Sequence, residues 1–195
     1  MVALAKIPAW MSVAEFLAWN PGDGRRWQLV DGEPQAMAPA SRTHAALMTE
    51  LGAVLRNHFT ERASPCTALS QPGIIPHVNA ARNYRIPDLA VTCTGYDAEE
   101  YAVADPVLIV EILSPSNKSE TLANVWAYTT IPSVREILIL HTENIGADLL
   151  RRLPDGSWPK EPEAIATGDL TLDSIAFRVA LPALYRTTRL APPRG

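Results

Sequence analysis

The stretch Asp105–Asn117, DPVLIVEILSPSN, decides how the chain is read. Six of the seven residues from Val107 to Leu113 are aliphatic, the composition of a strand buried on both faces, and the seventh is Glu111. An isolated buried charge is costly, so a carboxylate at this place is expected to be paired, protonated or bound to a metal. Upstream, NYRIPDLAVTC reads as a strand over about residues 84–93, and downstream REILIL reads as a strand over 135–140. A helix over about 119–130 separates the last two, so strand, helix and strand predict a right-handed parallel crossover.

The rest of the chain fits around that unit. SVAE at Ser12–Glu15 has capping-box spacing ahead of Phe16, Leu17 and Trp19, which predicts a short first helix. Asp31-Gly32, between the extended runs of RWQLVDGEPQAM, is a two-residue hairpin signal. Ser41 caps a helix over about 42–60 whose apolar face carries Leu47, Met48, Leu51, Val54 and Leu55, with His44 and His58 on the same face. LSQPGIIPHV reads as a broken or edge segment, ADLLRRLPDGSWPKEP as a strand, a turn and an irregular return, and LTLDSIAFRVALPALY as a late strand and a closing helical turn.

Global properties narrow the function classes. With 195 residues, 47% hydrophobic and 19% charged, the chain is expected to form one domain with one sizeable core. A net charge of −4 argues against a broad basic face that coats nucleic acid, leaving only local patches. No segment reaches the roughly 18 apolar residues that span a bilayer, so the expected location is the cytoplasm. Cys66 and Cys93 lack zinc-ligand spacing and read as reduced thiols. The basic residues are 14 arginines and only Lys6, Lys118 and Lys160, which limits any catalytic ammonium to a short list.

Alternation along the two strands puts Ile86, Asp88 and Ala90 on one face and Ile109, Glu111 and Leu113 on one face. If the strands are neighbours, Asp88 and Glu111 point into the same space. Two like charges about 4 Å apart repel by about 4 kcal/mol at an effective dielectric near 20, so the pair calls for a cation or a shared proton. Magnesium suits it, being hard, oxygen-seeking and content with one or two carboxylates, and the Ile112 carbonyl offers a further oxygen. Such an ion polarises a phosphoryl oxygen and activates an attacking water. The competing reading has Glu111 ending its strand at the surface or pairing with an arginine such as Arg85. In the following helix, Leu122, Val125, Trp126 and Thr129 predict the packed stripe, while Glu120, Asn124 and Tyr128 form a polar one that faces either the carboxylates or solvent.

RIPDLAV, then LIVEILSPSN, then a helix with a tyrosine near its end, then IPSVREILIL, resembles the Uma-type endonuclease family of the PD-(D/E)XK restriction-endonuclease-like superfamily. LVDGEPQAMAPASRTH resembles that family's entry segment, with Glu33 and His44 as its glutamate and histidine. The resemblance runs from about residue 12 to 185. It implies an α/β (α+β) fold with a mixed central sheet flanked by helices, Asp88 and Glu111 as ligands of Mg2+ or Mn2+ beside the Ile112 carbonyl that the spacing offers, and a phosphodiester bond of nucleic acid, DNA first, as substrate. Tyr128 is a supporting position by the same likeness, and Glu120 by its place on the polar stripe. By analogy with restriction nucleases, two copies form a homodimer.

The chain departs from the pattern at the lysine. Two residues after the second carboxylate stands Leu113, and the alternative position on the helix is Asn124, which supplies neither a positive charge nor a general base. Lys118, at the helix entrance, is the nearest lysine and lies on a different side from Asn124. Three readings follow: a nuclease that works with Lys118 or by metal alone, a catalytically degenerate nuclease fold that binds nucleic acid or a protein, and an unrelated enzyme or interaction module. Arg25, Arg26, Arg82 and Arg85 are the candidate phosphate contacts.

Overall fold

The computed structural model describes residues 8–95, 97, 99–115 and 117–191. In chain order its helices are α1 (Val13–Ala18), α2 (Arg42–Glu61) and α3 (Lys118–Tyr128). Its strands are β1 (Trp27–Val30), β2 (Glu33–Ala36), β3 (Thr67–Ser70), β4 (Leu89–Thr92), β5 (Pro106–Leu113), β6 (Glu136–His141), β7 (Ala147–Arg151), β8 (Glu163–Ile165), β9 (Asp169–Leu172) and β10 (Phe177–Ala180). Six strands form one mixed sheet in the order β3-β4-β5-β6-β7-β8. Every neighbouring pair is antiparallel except β5 and β6, which run parallel because α3 carries the chain back between them.

Both faces of the sheet are covered, which is why β5 is nearly all aliphatic. On one face Leu47, Leu51, Leu55 and Phe59 of α2, together with Leu170, Leu172, Leu181 and Leu184 near the C-terminal end, pack on Leu89, Val91, Leu108, Val110 and Ile112. On the other, Val125 and Tyr128 of α3 pack on Ala90, Ile109, Ile137 and Ile139. A satellite cluster of Met11, Phe16, Leu29 and Tyr84 seats α1 and the β1–β2 hairpin beside the sheet.

Local chemistry explains the boundaries. Ser12 and Glu15 form the reciprocal capping box at α1, and the Ser41 hydroxyl accepts from the His44 N–H at the start of α2. Asp31 and Gly32 both adopt positive φ, 49° and 92°, the geometry a two-residue hairpin turn demands. Gly52 lies in the interior of α2, where an added Cβ would make ordinary contact with Leu89 Cδ2 at 3.7 Å. Glycine inside a helix costs about 0.5–1 kcal/mol relative to alanine. Gly52→Ala is therefore expected to raise Tm by about 1–4 °C in thermal unfolding followed by circular dichroism.

Four expectations are corrected. The strand predicted over 84–93 is regular only at β4, because Pro87 has no N–H to give to a ladder; Tyr84 and Arg85 instead make single bridges to Leu29 and Ile74. The expected late strand is a hairpin, β9 with β10, and the irregular return after Pro154 contains the short β8. On α3 the predicted packed positions Leu122 and Trp126 are 52% and 62% exposed, while Thr121, Asn124, Val125, Ala127 and Tyr128 are buried. Cys66 and Cys93 are joined by a disulfide rather than reduced. Register explains this last pairing: Thr67 opposes Thr92, so the next residue outward on each strand meets its counterpart, a proximity hidden by 27 residues of sequence.

Candidate active site

Asp88 and Glu111 meet because β4 and β5 are antiparallel neighbours. Leu89 opposes Val110, so one step back along β4 sets Asp88 against Glu111. The Gln71 N–H donates to the Asp88 carbonyl at 2.9 Å, which fixes the residue at the mouth of β4. Each acid is only 5% exposed, and both line a cleft of about 360 Å³. Neither acid ends at the surface or pairs with Arg85 among the described residues.

The two carboxylates are held differently. The His44 Nε2–H, from the first turn of α2, donates to Asp88 Oδ1 at 2.7 Å, and the Ile112 backbone N–H donates to Oδ2 at 2.7 Å. Glu111 Oε1 accepts from the Tyr128 hydroxyl at 3.0 Å and from Asn124 Nδ2 at 3.4 Å. Burial first, and the Asp88 charge second, push the Glu111 carboxyl well above the usual carboxylate range, against the opposing effect of those hydrogen bonds. Tyr128 is raised as well, by burial and by Glu111, so its O–H persists as a donor.

A second layer stands behind this pair. Asn124 Oδ1 accepts from Arg85 Nη1 at 2.8 Å, and its Nδ2 also lies 3.5 Å from Gln28 Oε1. Gln28 Nε2 donates to Glu120 Oε1 at 2.7 Å, and burial raises the Glu120 carboxyl above its ordinary value. Arg85 donates from Nε and Nη2 to Asn83 Oδ1 at 3.2 and 2.9 Å, and Asn83 Nδ2 donates to Asp31 Oδ1 at 2.9 Å. The polar stripe of α3 thus faces the acids, where three long-range partners satisfy it.

The structure gathers most of the residues singled out in the sequence. Asp88, Glu111, His44, Glu120 and Asn124 line the cleft, and Tyr128 is buried against Glu111. The Ile112 carbonyl accepts from Asn117 Nδ2 at 3.2 Å. Lys118 is exposed and not among the cleft residues, and Glu33 is exposed on β2, away from the lining. Ser116 of the Ser-Pro-Ser motif lies outside the described residues. Of the candidate phosphate contacts, Arg25 and Arg26 line the cleft, Arg82 stacks over the Trp10 ring, and Arg85 is buried. The His58 Nε2–H donates to the Ile175 carbonyl at 3.0 Å, and His58 is not among the cleft residues, so it is a core-edge histidine.

Gln28, Asn83 and Asn117 were not foreseen. Gln28 and Asn83 sit in segments that read as hairpin and loop, and only the period of four linking Glu120, Asn124 and Tyr128 hints that partners are needed there.

The donor set suits a hard divalent cation. All the available ligand atoms are oxygens, from the Asp88 and Glu111 carboxylates and the Ile112 carbonyl, and two neighbouring buried acids cost least when a cation lies between them. Among the described residues no group of three His, Cys, Asp or Glu side chains forms a closed metal site, so such an ion would keep waters, as magnesium usually does.

Comparison with known proteins shows the family and the fold. An uncharacterized protein, slr1290, of Synechocystis sp. is 28% identical over 178 residues, spanning 90% of this chain and 92% of its own. The fold is shared with the crystal structure of "a putative nuclease belonging to DUF820" from Anabaena variabilis, with a TM-score of 0.72 at 15% identity, covering 90% of this chain and 97% of the other. Residues 13–180, which hold the whole of the sheet and its flanking helices, match the family described as "Uma2: Putative restriction endonuclease", and the chain belongs to that family.

Proposed function

We propose that the cleft between α2, α3 and the mouths of β4 and β5 hydrolyses phosphodiester bonds in nucleic acid with Mg2+ or Mn2+. The observation that carries this reading is the convergence of two buried carboxylates from adjacent strands on one open cleft. Asp88, Glu111 and the Ile112 carbonyl would hold the ion, which when bound supplies Lewis-acid polarisation of a phosphoryl oxygen.

The chain's own side chains do the rest. His44 and the Ile112 N–H fix the Asp88 carboxylate so that its remaining lone pairs face the cleft as a rigid set. Tyr128 and Asn124 orient Glu111 from below. Arg25 and Arg26, on the cleft rim, are placed to take the flanking phosphates. With a net charge of −4, binding would be confined to this strip. Cutting both strands of a duplex would need two such sites, which makes a homodimer part of the proposal.

The test is incubation of purified protein with supercoiled plasmid and MgCl2 or MnCl2. Nicked or linear product is expected from the wild type and none from Asp88→Asn; equal cutting by that variant, or no cutting with either ion, would sink the reading. Arg25→Ala is expected to lower the slope of log affinity against log salt by about 1 on a fluorescent oligonucleotide. One feature, Asn124 at the lysine position, favours a second reading: a nuclease fold that binds without cutting. Salt-dependent binding by a wild type that never cuts would establish it.

A further inference from the structure

Hydrolysis of a phosphodiester builds negative charge on the phosphoryl oxygens, and enzymes meet it with fixed positive charge and aimed N–H donors. A lysine supplies both from one atom. Here residue 124 is an asparagine, and Lys118 is exposed at the helix start and not among the cleft residues.

A cation is nevertheless present one layer deeper. Arg85 is buried, yet among the described residues it makes no ion pair; its nitrogens are spent on the Asn83 and Asn124 side-chain carbonyls. A buried guanidinium without a counterion is costly and would not persist by packing alone. Its electrostatic neighbours are Tyr128, Asp31, Glu120 and Glu111, the last two of which line the cleft. Because a guanidinium only donates, the Asn124 carbonyl must face it. The Asn124 amide nitrogen is thereby turned toward Glu111 Oε1, 3.4 Å away, on the cleft side.

We propose that Arg85 and Asn124 divide the work of one ammonium: Arg85 is a positioning residue that supplies the fixed charge and locks the amide, and Asn124 presents an N–H donor to Glu111 Oε1 at the cleft wall. This rests on the nuclease reading above, and the experiment separates the two. The chain as it stands is compared with Arg85→Gln, Asn124→Lys and the double variant, in plasmid cleavage and in Mn2+ titration followed by electron paramagnetic resonance.

Loss of the Arg85 charge is expected to cut cleavage by about 10²-fold and, because a like charge has left the neighbourhood, to tighten Mn2+ binding by about three- to tenfold. Lysine at position 124 in the Arg85→Gln background is expected to return cleavage to within about tenfold of wild type and Mn2+ affinity to the wild-type value. Asn124→Lys alone crowds two cations and is expected to weaken Mn2+ binding without improving cleavage.

A residue that merely braces the fold would give the opposite sign for the metal, and no rescue. Weaker Mn2+ binding by Arg85→Gln, or a double variant that cleaves no better than that single variant, overturns the proposal. Should Arg85→Gln not fold, the double variant is read against wild type: cleavage within about tenfold supports the proposal, and a double variant that is unfolded or inert overturns it. A wild type that binds Mn2+ but never cuts removes the nuclease reading and leaves the Mn2+ comparison to decide the division of charge. A wild type that binds no Mn2+ removes both.

Discussion

Replacing Glu111 with glutamine is expected to lower metal-dependent cleavage by about 10²–10³-fold or more and, in the same preparation, to raise the melting temperature of the metal-free protein. The two effects have one cause. Glu111 sits in the centre of a sheet covered on both faces, with Asp88 beside it, and its carboxyl is displaced well above the usual range. At neutral pH, without a cation, it must either remain charged next to Asp88 or hold a proton that it would release in the unfolded chain, and each alternative costs free energy that an amide does not. Glutamine keeps an oxygen to accept from the Tyr128 hydroxyl, so the packing of α3 is retained. Relief of a functional liability of this type is worth about 0.5–2 kcal/mol, or a rise of about 1–8 °C for a chain of this length. Saturating Mg2+, at about 100 times its dissociation constant, is expected to stabilise the wild type by about 2.7 kcal/mol and the variant much less. Scanning calorimetry with and without the ion reads both numbers. A variant that melts below the wild type in the absence of metal would show that Glu111 is braced by the fold and not tolerated for its chemistry.

The parts of this site that could be read from sequence are those governed by backbone periodicity. Alternation along β5 and the Pro87-Asp88 step put both acids on converging faces once the strands are neighbours, and Asp31-Gly32 announced its hairpin because few other pairs accept positive φ at both positions. The helix α3 was misread for a physical reason. Hydrophobic periodicity assumes that the inward face is the apolar one, and Leu122 and Trp126 satisfied that pattern. A helix that packs against a buried carboxylate must instead turn Asn124 and Tyr128 inward, and the larger apolar side chains are left exposed. Arg85 was harder still. Arginine is ordinarily a surface residue, and the groups that make its burial tolerable, Asn83 and Asn124, are respectively two and 39 residues away, so only the fold could bring the second one to it.

Gly73→Ala is expected to be the most disruptive alanine substitution among the described glycines, with consequences that reach the site. The backbone around Gly73 runs against the segment that carries Tyr84 and Arg85: Ile74 exchanges both N–H to carbonyl hydrogen bonds with Arg85, each at 2.8 Å, and the Val103 N–H donates to the Gly73 carbonyl at 2.8 Å. The Tyr84 hydroxyl passes directly over the glycine to donate to the Tyr101 carbonyl. A Cβ at position 73 would overlap that hydroxyl and its ring carbon and press on the Tyr101 carbonyl as well. Neither neighbour is a free side-chain end, because Tyr84 is buried among Met11, Phe16 and Leu29 and the other contact is backbone. Overpacking of this type costs about 3 kcal/mol, which for this length lowers Tm by about 6–12 °C. Tyr84→Phe removes the clashing oxygen, so in that background the cost of Gly73→Ala is expected to fall by at least 1 kcal/mol, a coupling that a double-mutant cycle isolates. Gly95→Ala, where a Cβ would meet nothing within 4 Å, serves as the neutral comparison. Because the displaced segment holds Arg85 against Asn124, Gly73→Ala is also expected to weaken cleavage by the protein that remains folded at low temperature. An alanine at 73 that leaves Tm within 1 °C of wild type would mean that Tyr84 has another place to go and that this strand segment is not the rigid support on which Arg85 depends.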